Sequence, residues 1–255
     1  MSFYVATYLA LTSLHIALLH WIALASVSVA TTAAVVICEH GRWPLGLFVP
    51  PRLASREFAL GAIAGAVIVG IAVVMVDVSS ELRHEVGRGF PWIELIAVYV
   101  PAALHEELLF RGYAFQKFHR WNRWFAILFV ALVFAALHLR NASVTFLGLA
   151  NIFLGGVLLG LAWERYRRLW FPIGMHLAWN LTTGPITGHE VSGYVPSHSL
   201  LVTRGEGPWW VTGAGFGVEG SVWMTGVVVV AIVVLLKVIK TSSEGRVQSA
   251  ESEKL

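Results

Sequence analysis

Two adjacent carboxylates and an arginine stand inside a largely apolar run, with Glu106, Glu107 and Arg111 between residues 91 and 115. That run is long enough to cross a bilayer, which takes about 20 residues. An ionised side chain at mid-membrane costs on the order of 2.5–3.5 kcal/mol on insertion scales, so three together call for a functional reason. In a helix Glu107 and Arg111 are four residues apart and share a face. Glu106 is turned away by about 100°. The spacing therefore predicts that Arg111 neutralises Glu107 and that Glu106 is left for chemistry.

Two more apolar runs carry polar groups at helical spacing: Phe134 with His138, and His176 with Asn180. A carboxylate with a histidine activates water as a general base. Histidine and asparagine donors stabilise an oxyanion. Together these are the parts needed to hydrolyse an amide. Glu106, His138 and His176 are equally a zinc ligand set with one open position. Each motif alone is weak, because a single intramembrane histidine is normally packed and hydrogen-bonded. Their combination on three separate helices points to one shared site. No HExxH is present and the carboxylate precedes both histidines, which favours a metal-free glutamate mechanism over the usual zinc-protease layout.

The elements that must position these groups are membrane helices. The 255 residues are 57% hydrophobic and 13% charged, and the mean hydropathy is +0.71. Globular chains carry about 25% charged residues. The expected fold is all-α, a polytopic bundle of about seven helices, or eight if the first apolar run divides. That run, 3–38, has neither Gly nor Pro and reads as one helix. It carries His15 and His20, both expected to be packing residues. It lacks a basic leader and is too long for a signal peptide, so it is expected to be retained. Further helices are expected at about 58–78, 91–117, 121–140, 144–164, 170–187 and 222–239. The third should kink at Pro101. Gly61 with Gly65, and Gly156 with Gly160, form small-residue faces for close packing. Asn151 reads as packing glue. From these limits at about 1.5 Å per residue, Glu106 and His176 sit roughly 10–16 Å above the cytoplasmic ends and His138 roughly 22–26 Å. Tilt must bring them level.

Residues 188–221 hold eight glycines and read as a lid, a binding loop or a plain solvent-facing loop. The polar segment 241–255 is expected to be a disordered cytoplasmic tail. The chain reads as a single membrane domain over 1–255, without internal repeats. Its one cysteine, Cys38, excludes an intrachain disulfide and a cysteine zinc cage. The net charge of +3 is spread over short loops, so no nucleic-acid partner is expected. Trp43, Trp92, Trp121, Trp124 and Trp170 fall near expected helix ends, as in an interfacial belt.

The three motifs resemble those of the CAAX prenyl protease type II family, also called the CPBP or Abi family of intramembrane endopeptidases. The resemblance covers about 91–190, which would be the catalytic core, and Ser192-Gly193 is similar to prokaryotic members. It implies that Glu106 activates water, His138 helps hold that water, and His176 and Asn180 form the oxyanion site. It also implies that Glu107 and Arg111 order the site and that Phe134 packs. The implied substrate is a membrane-associated peptide or protein. No cofactor is expected, with zinc at Glu106, His138 and His176 as the alternative. Two other functions fit the same residues: a proton-coupled transporter relaying through Glu106 and the histidines, and a non-catalytic membrane scaffold. The transporter reading lacks an inverted repeat and a pair of broken helices.

The expected location is a prokaryotic plasma membrane. With seven helices, Arg83, Arg88, Arg140 and Arg204 fall in one set of loops, and every other Lys and Arg except Arg111 falls in the opposite set or the tail. The 4-to-13 bias puts the N-terminus outside and the C-terminus in the cytoplasm. A topology reporter fused after Lys240 should therefore read cytoplasmic, and one inserted in 188–221 should read external. The reverse pattern would invert the bundle.

Overall fold

Each long apolar run of the sequence becomes a helix, and two of them are interrupted. The computed structural model describes the backbone of residues 3–40 and 45–252 and the side chains of 15–40 and 45–241. Arg42 and Trp43 lie outside the described residues. The main helices are α1 (Phe3–Glu39), α2 (Pro51–Val78), α6 (Arg123–Leu137), α7 (Phe146–Tyr166) and α10 (Val222–Ser252). Among the described residues, five segments are long and apolar enough to cross a membrane: His15–Glu39, Pro51–Val78, Arg123–Arg140, Phe146–Tyr166 and Val222–Thr241.

That is two fewer than the seven expected, because the other two spans are broken by π turns. The expected third span comprises α3 (Trp92–Glu94), a π turn at Leu95–Tyr99 and α4 (Val100–Arg111). Pro101 has no N–H to give the preceding turn, and the widened turn just before it absorbs the defect. The span then ends at Arg111 rather than 117. Gly112 leaves helical geometry with φ −77° and ψ −140°, and α5 (Tyr113–Trp121) starts in a new direction. Its Gln116 side chain caps the Arg111 carbonyl at 3.0 Å. The sixth span is α8 (Trp170–Leu181) followed by a π turn at Thr182–Ile186 that contains Pro185. Broken helices thus do occur, although they stay helical through the break rather than unwinding.

Helices α2 and α8 run side by side in backbone contact. A Cβ on Gly61 would meet the Phe171 carbonyl oxygen at 2.0 Å, one on Gly65 the Met175 oxygen at 2.2 Å, and one on Gly174 the Phe58 oxygen at 2.1 Å. The small-residue face of α2 is therefore a contact with α8 specifically. Gly156 of α7 packs on α6 less tightly, with Ala131 at 3.0 Å from its would-be Cβ. One apolar cluster joins α2, α7, α8 and α10 through Val69, Val76, Leu158, Met175 and Val228. A second joins α4, α5, α6 and α7 through Phe110, Phe115, Ile127, Phe134 and Trp163. On α2, Ile63, Val67, Ile71 and Val74 recur on the opposite face and stay exposed, as lipid-facing residues do.

At the end where α2 and α8 begin, ion pairs tie the segments. Arg168 grips Glu57 through Nε and Nη2, Arg123 pairs with Glu164 at 3.0 Å, and Lys117 pairs with Glu39. The fold is the expected helical bundle, and at its other end it carries one small two-stranded sheet. Strands β1 (Arg83–Val86) and β2 (Leu201–Arg204) pair antiparallel, with Arg83 opposite Arg204 and Val86 opposite Leu201. The 188–221 connection is accordingly not a plain loop. It holds β2, the short α9 (Trp209–Thr212) and two 3₁₀ turns, and Gly217 at φ +85° packs against the Glu190 carbonyl where no Cβ fits. The backbone of α10 continues to Ser252, and 253–255 lie outside the described residues.

The glycine contacts make a graded test. Gly61→Ala and Gly65→Ala each force backbone apart and should cost about 1–3 kcal/mol, lowering the detergent melting point and the folded yield. Gly70, with nothing within 4 Å of its would-be Cβ, should accept Ala without loss. Equal effects at all three positions would refute the close α2–α8 approach.

Candidate active site

Helix α4 presents its charges as the spacing predicts. Arg111 Nη1 donates to Glu107 Oε1 at 3.0 Å, and Nη2 donates to the Gly156 carbonyl on α7 at 3.1 Å. Glu107 and Arg111 are buried essentially completely. The guanidinium lies 5.2 Å from the Phe134 ring centre, where the ring's negative face attracts it. Phe134 also packs edge-on to Phe110 and His176. The expected packing role is visible in those contacts.

The sequence does not reveal that Glu107 has a second partner. His176 Nδ1, on α8, lies 2.8 Å from the same Oε1 that receives Arg111. A carboxylate only accepts, so Nδ1 carries the proton. The other imidazole nitrogen, Nε2, lies 3.7 Å from Glu106 Oε2, beyond hydrogen-bond range but within strong electrostatic reach. Adjacent carboxylates on one helix thus hold the two nitrogens of one imidazole. Glu106 keeps 21% of its side-chain surface exposed while Glu107 keeps 0%. The exposed carboxylate, Glu106, is the one that lines the cavity.

Glu106, His138, His176 and Asn180 all line one cavity of about 530 Å³. The offset in depth expected for His138 is spanned by Phe134, whose ring centre lies 4.6 Å from the His138 imidazole and 6.3 Å from that of His176. His138 opens the 3₁₀ turn that ends α6. Its Nδ1 bonds the Phe134 carbonyl at 2.7 Å, which leaves Nε2 for the cavity. Asn180 follows His176 by one turn on α8.

Among the described residues, the one group of three His, Cys, Asp or Glu whose ligand atoms all lie within 4.8 Å of each other is Asp77, His84 and His189. Glu106, His138 and His176 do not form such a group.

The 188–221 segment supplies part of the cavity wall. Val191 to Tyr194 line the cavity. Glu219, buried at 3% exposure, accepts from Trp179 Nε1 at 2.6 Å and from Ser192 Oγ at 2.7 Å. Asn141 Nδ2 donates to the Ser192 carbonyl at 2.9 Å. A carboxylate inside a glycine-rich apolar stretch was the available signal for Glu219. Glu94, in the same run as Glu106, accepts from the Ser197 backbone at 3.0 Å and anchors this segment as well. Asn151 bonds the Glu219 and Ser221 carbonyls, each at 2.8 Å, which is the packing role expected of it. His20 of α1 also lines the cavity, facing His105 with ring centres 5.3 Å apart.

The shared oxygen predicts a split result in a mutant cycle. Arg111→Met leaves Glu107 buried without its guanidinium, which should cost about 3–5 kcal/mol and most of the folded yield. Glu107→Gln with Arg111→Met should restore yield beyond either single change. Activity should stay lost, because His176 no longer has its carboxylate. Additive yield losses would show that the two residues are not coupled.

Residues 88–182 match the model of the type II CAAX prenyl endopeptidase Rce1-like family. The chain is also 32% identical over 153 residues to an uncharacterized 24.3 kDa protein of Escherichia coli, a match covering 56% of this chain and 70% of the relative. No solved structure matches significantly. The matched span runs from before α3 to the first residue of the π turn after α8, and so encloses Glu106, Glu107, Arg111, His138, His176 and Asn180. The chain belongs to the type II CAAX prenyl endopeptidase Rce1-like family.

Proposed function

We propose that this protein is an intramembrane endopeptidase in which Glu106 is the general base. The observation that carries this reading is His176 held between Glu107 and Glu106, facing the cavity shared with His138 and Asn180. Glu106 takes a proton from a water that His138 Nε2 helps to orient. The resulting hydroxide attacks the scissile carbonyl carbon, and the C–N bond then breaks as the proton passes from Glu106 to the leaving amine. The oxyanion receives hydrogen bonds from Asn180 Nδ2 and from His176 Nε2 in its protonated form. With His176 protonated, two carboxylates face one guanidinium and one imidazolium, so the buried cluster carries no net charge. Glu107 and Arg111 act through His176 by fixing its ring and proton.

The reaction on this reading needs no metal at Glu106, and the poor match of Glu106, His138 and His176 to a ligand set supports it. The substrate is a peptide or protein segment already in the membrane, able to reach a cavity walled by α4, α6, α7 and α8. Its C-terminal prenylation is what the family description suggests. The protein sits in the plasma membrane with its C-terminus in the cytoplasm, as the basic loops favour.

Glu106→Gln tests the assignment directly. The variant should fold as well as wild type, because Glu106 is partly exposed and outside the Glu107–Arg111 pair. Hydrolysis of prenylated and unprenylated C-terminal peptides by purified protein should fall 10²–10⁴-fold, the usual cost of losing a general base. Retention of more than about a tenth of the rate would remove Glu106 from that role. Peptide-independent proton flux in proteoliposomes, with no hydrolysis by wild type, would favour the transporter instead.

A further inference from the structure

A second polar cluster lies at the opposite end of α2 from the Glu57–Arg168 pair. Asp77 ends α2, His84 lies in β1, and His189 follows the π turn of α8. Thr203 Oγ1 donates its one proton to the Thr187 carbonyl at 2.7 Å, so at 3.1 Å from His84 Nδ1 it acts as acceptor. His84 Nδ1 therefore carries a proton. Its Nε2 faces Asp77 Oδ2 at 2.8 Å. With the ring protonated this contact is an ion pair, and with the ring neutral it sets two acceptors face to face with no proton between them. His189 is 3% exposed, and its Nε2 has no hydrogen-bond partner, nor has Asp77 Oδ1. The ligand atoms of all three residues lie within 4.8 Å of one another.

We propose that Asp77, His84 and His189 bind a divalent zinc ion that clamps the outer segment onto the ends of α2 and α8. Two imidazoles and one carboxylate favour zinc over magnesium or calcium. Zinc takes these ligands at about 2.0–2.2 Å. Thr203 holds His84 through its distal nitrogen, the outer support that metal-binding histidines normally have. The three ligands come from three separate segments, and His189 is two residues before Val191, where the cavity wall begins. Binding here fixes β1, the start of the 188–221 segment and α2 to one another. The inference is independent of the proposed peptidase chemistry.

The full chain, purified in detergent with a histidine-free tag, would be stripped with chelator, given zinc chloride, desalted and measured for metal. Wild type should retain about one equivalent. His84→Ala, His189→Gln and the near-isosteric Asp77→Asn should each retain less than about a tenth of that. His138→Ala and Glu106→Gln should retain it fully. Zinc at a hundredfold excess over its dissociation constant should raise the wild-type melting point by about 5–10 °C and leave Asp77→Asn unmoved. The proposal is overturned if wild type retains no zinc, or if Asp77→Asn and His189→Gln retain as much as wild type. It is equally overturned if zinc is lost in His138→Ala instead, which would put the metal at the catalytic cavity. Failure of Glu106→Gln to lose activity would count against the peptidase reading alone.

Discussion

One carboxylate oxygen, Glu107 Oε1, receives both the Arg111 guanidinium and the His176 imidazole in a site closed to solvent. Taking such groups out of water costs several kcal/mol per ion, and only close, well-aligned partners offset it. The consequences spread through the bundle. Arg111 also needs the Gly156 carbonyl, so α4 and α7 must meet at that depth. Gly156 in turn lets α6 close against α7, which delivers Phe134 to the guanidinium and His138 to the cavity. A side chain at Gly156 would disturb all of these at once.

His176 has to arrive at the same oxygen from another helix, and its depth is set by α2. The three glycine contacts with α2 leave little freedom to slide or rotate α8, since each is backbone against backbone. The Glu57–Arg168 pair fixes the start of both helices. A rigid, glycine-lined seam therefore sets the depth of the His176 imidazole. The same rigidity explains why π turns occur where they do. One precedes α4 next to Pro101 and the other follows α8 at Pro185. Both lie outside the turns that carry Glu106, Glu107, Arg111, His176 and Asn180, so those residues keep regular helical spacing.

Which features were legible in the sequence follows from their range. The Glu107–Arg111 pair is a four-residue relation inside one helix, and the spacing states it. The hydropathy of the long runs likewise gives helices and their approximate limits. The break at Gly112 was hidden because residues 113–117 continue with helix-compatible residues, and only the change of direction separates them. The Glu107–His176 bond joins residues 69 apart, and nothing local encodes it. Asp77, His84 and His189 meet because β1 pairs with β2 and returns the outer segment to α2. A reading that treated 79–90 as a turn and 188–221 as a loop had no means of bringing them together. Glu94 and Glu219 escaped for the same reason, since each is bonded to a distant backbone or indole.

Two identical side chains in adjacent positions have been given different tasks by geometry alone. A helix turns about 100° per residue, so Glu106 and Glu107 meet different nitrogens of His176 and otherwise face different surroundings. Glu107 points into the packed seam between α4, α7 and α8, where every direction is occupied by protein. Glu106 points to the cavity, where part of its surface stays open. The imidazole between them links the two environments. Its Nδ1 proton is fixed by the buried carboxylate, so whatever approaches from the cavity meets only Nε2. The buried pair thus sets which imidazole nitrogen faces the open carboxylate, while the pair itself does not line the cavity. That division requires both carboxylates, at consecutive positions, on a helix whose next turn holds the arginine.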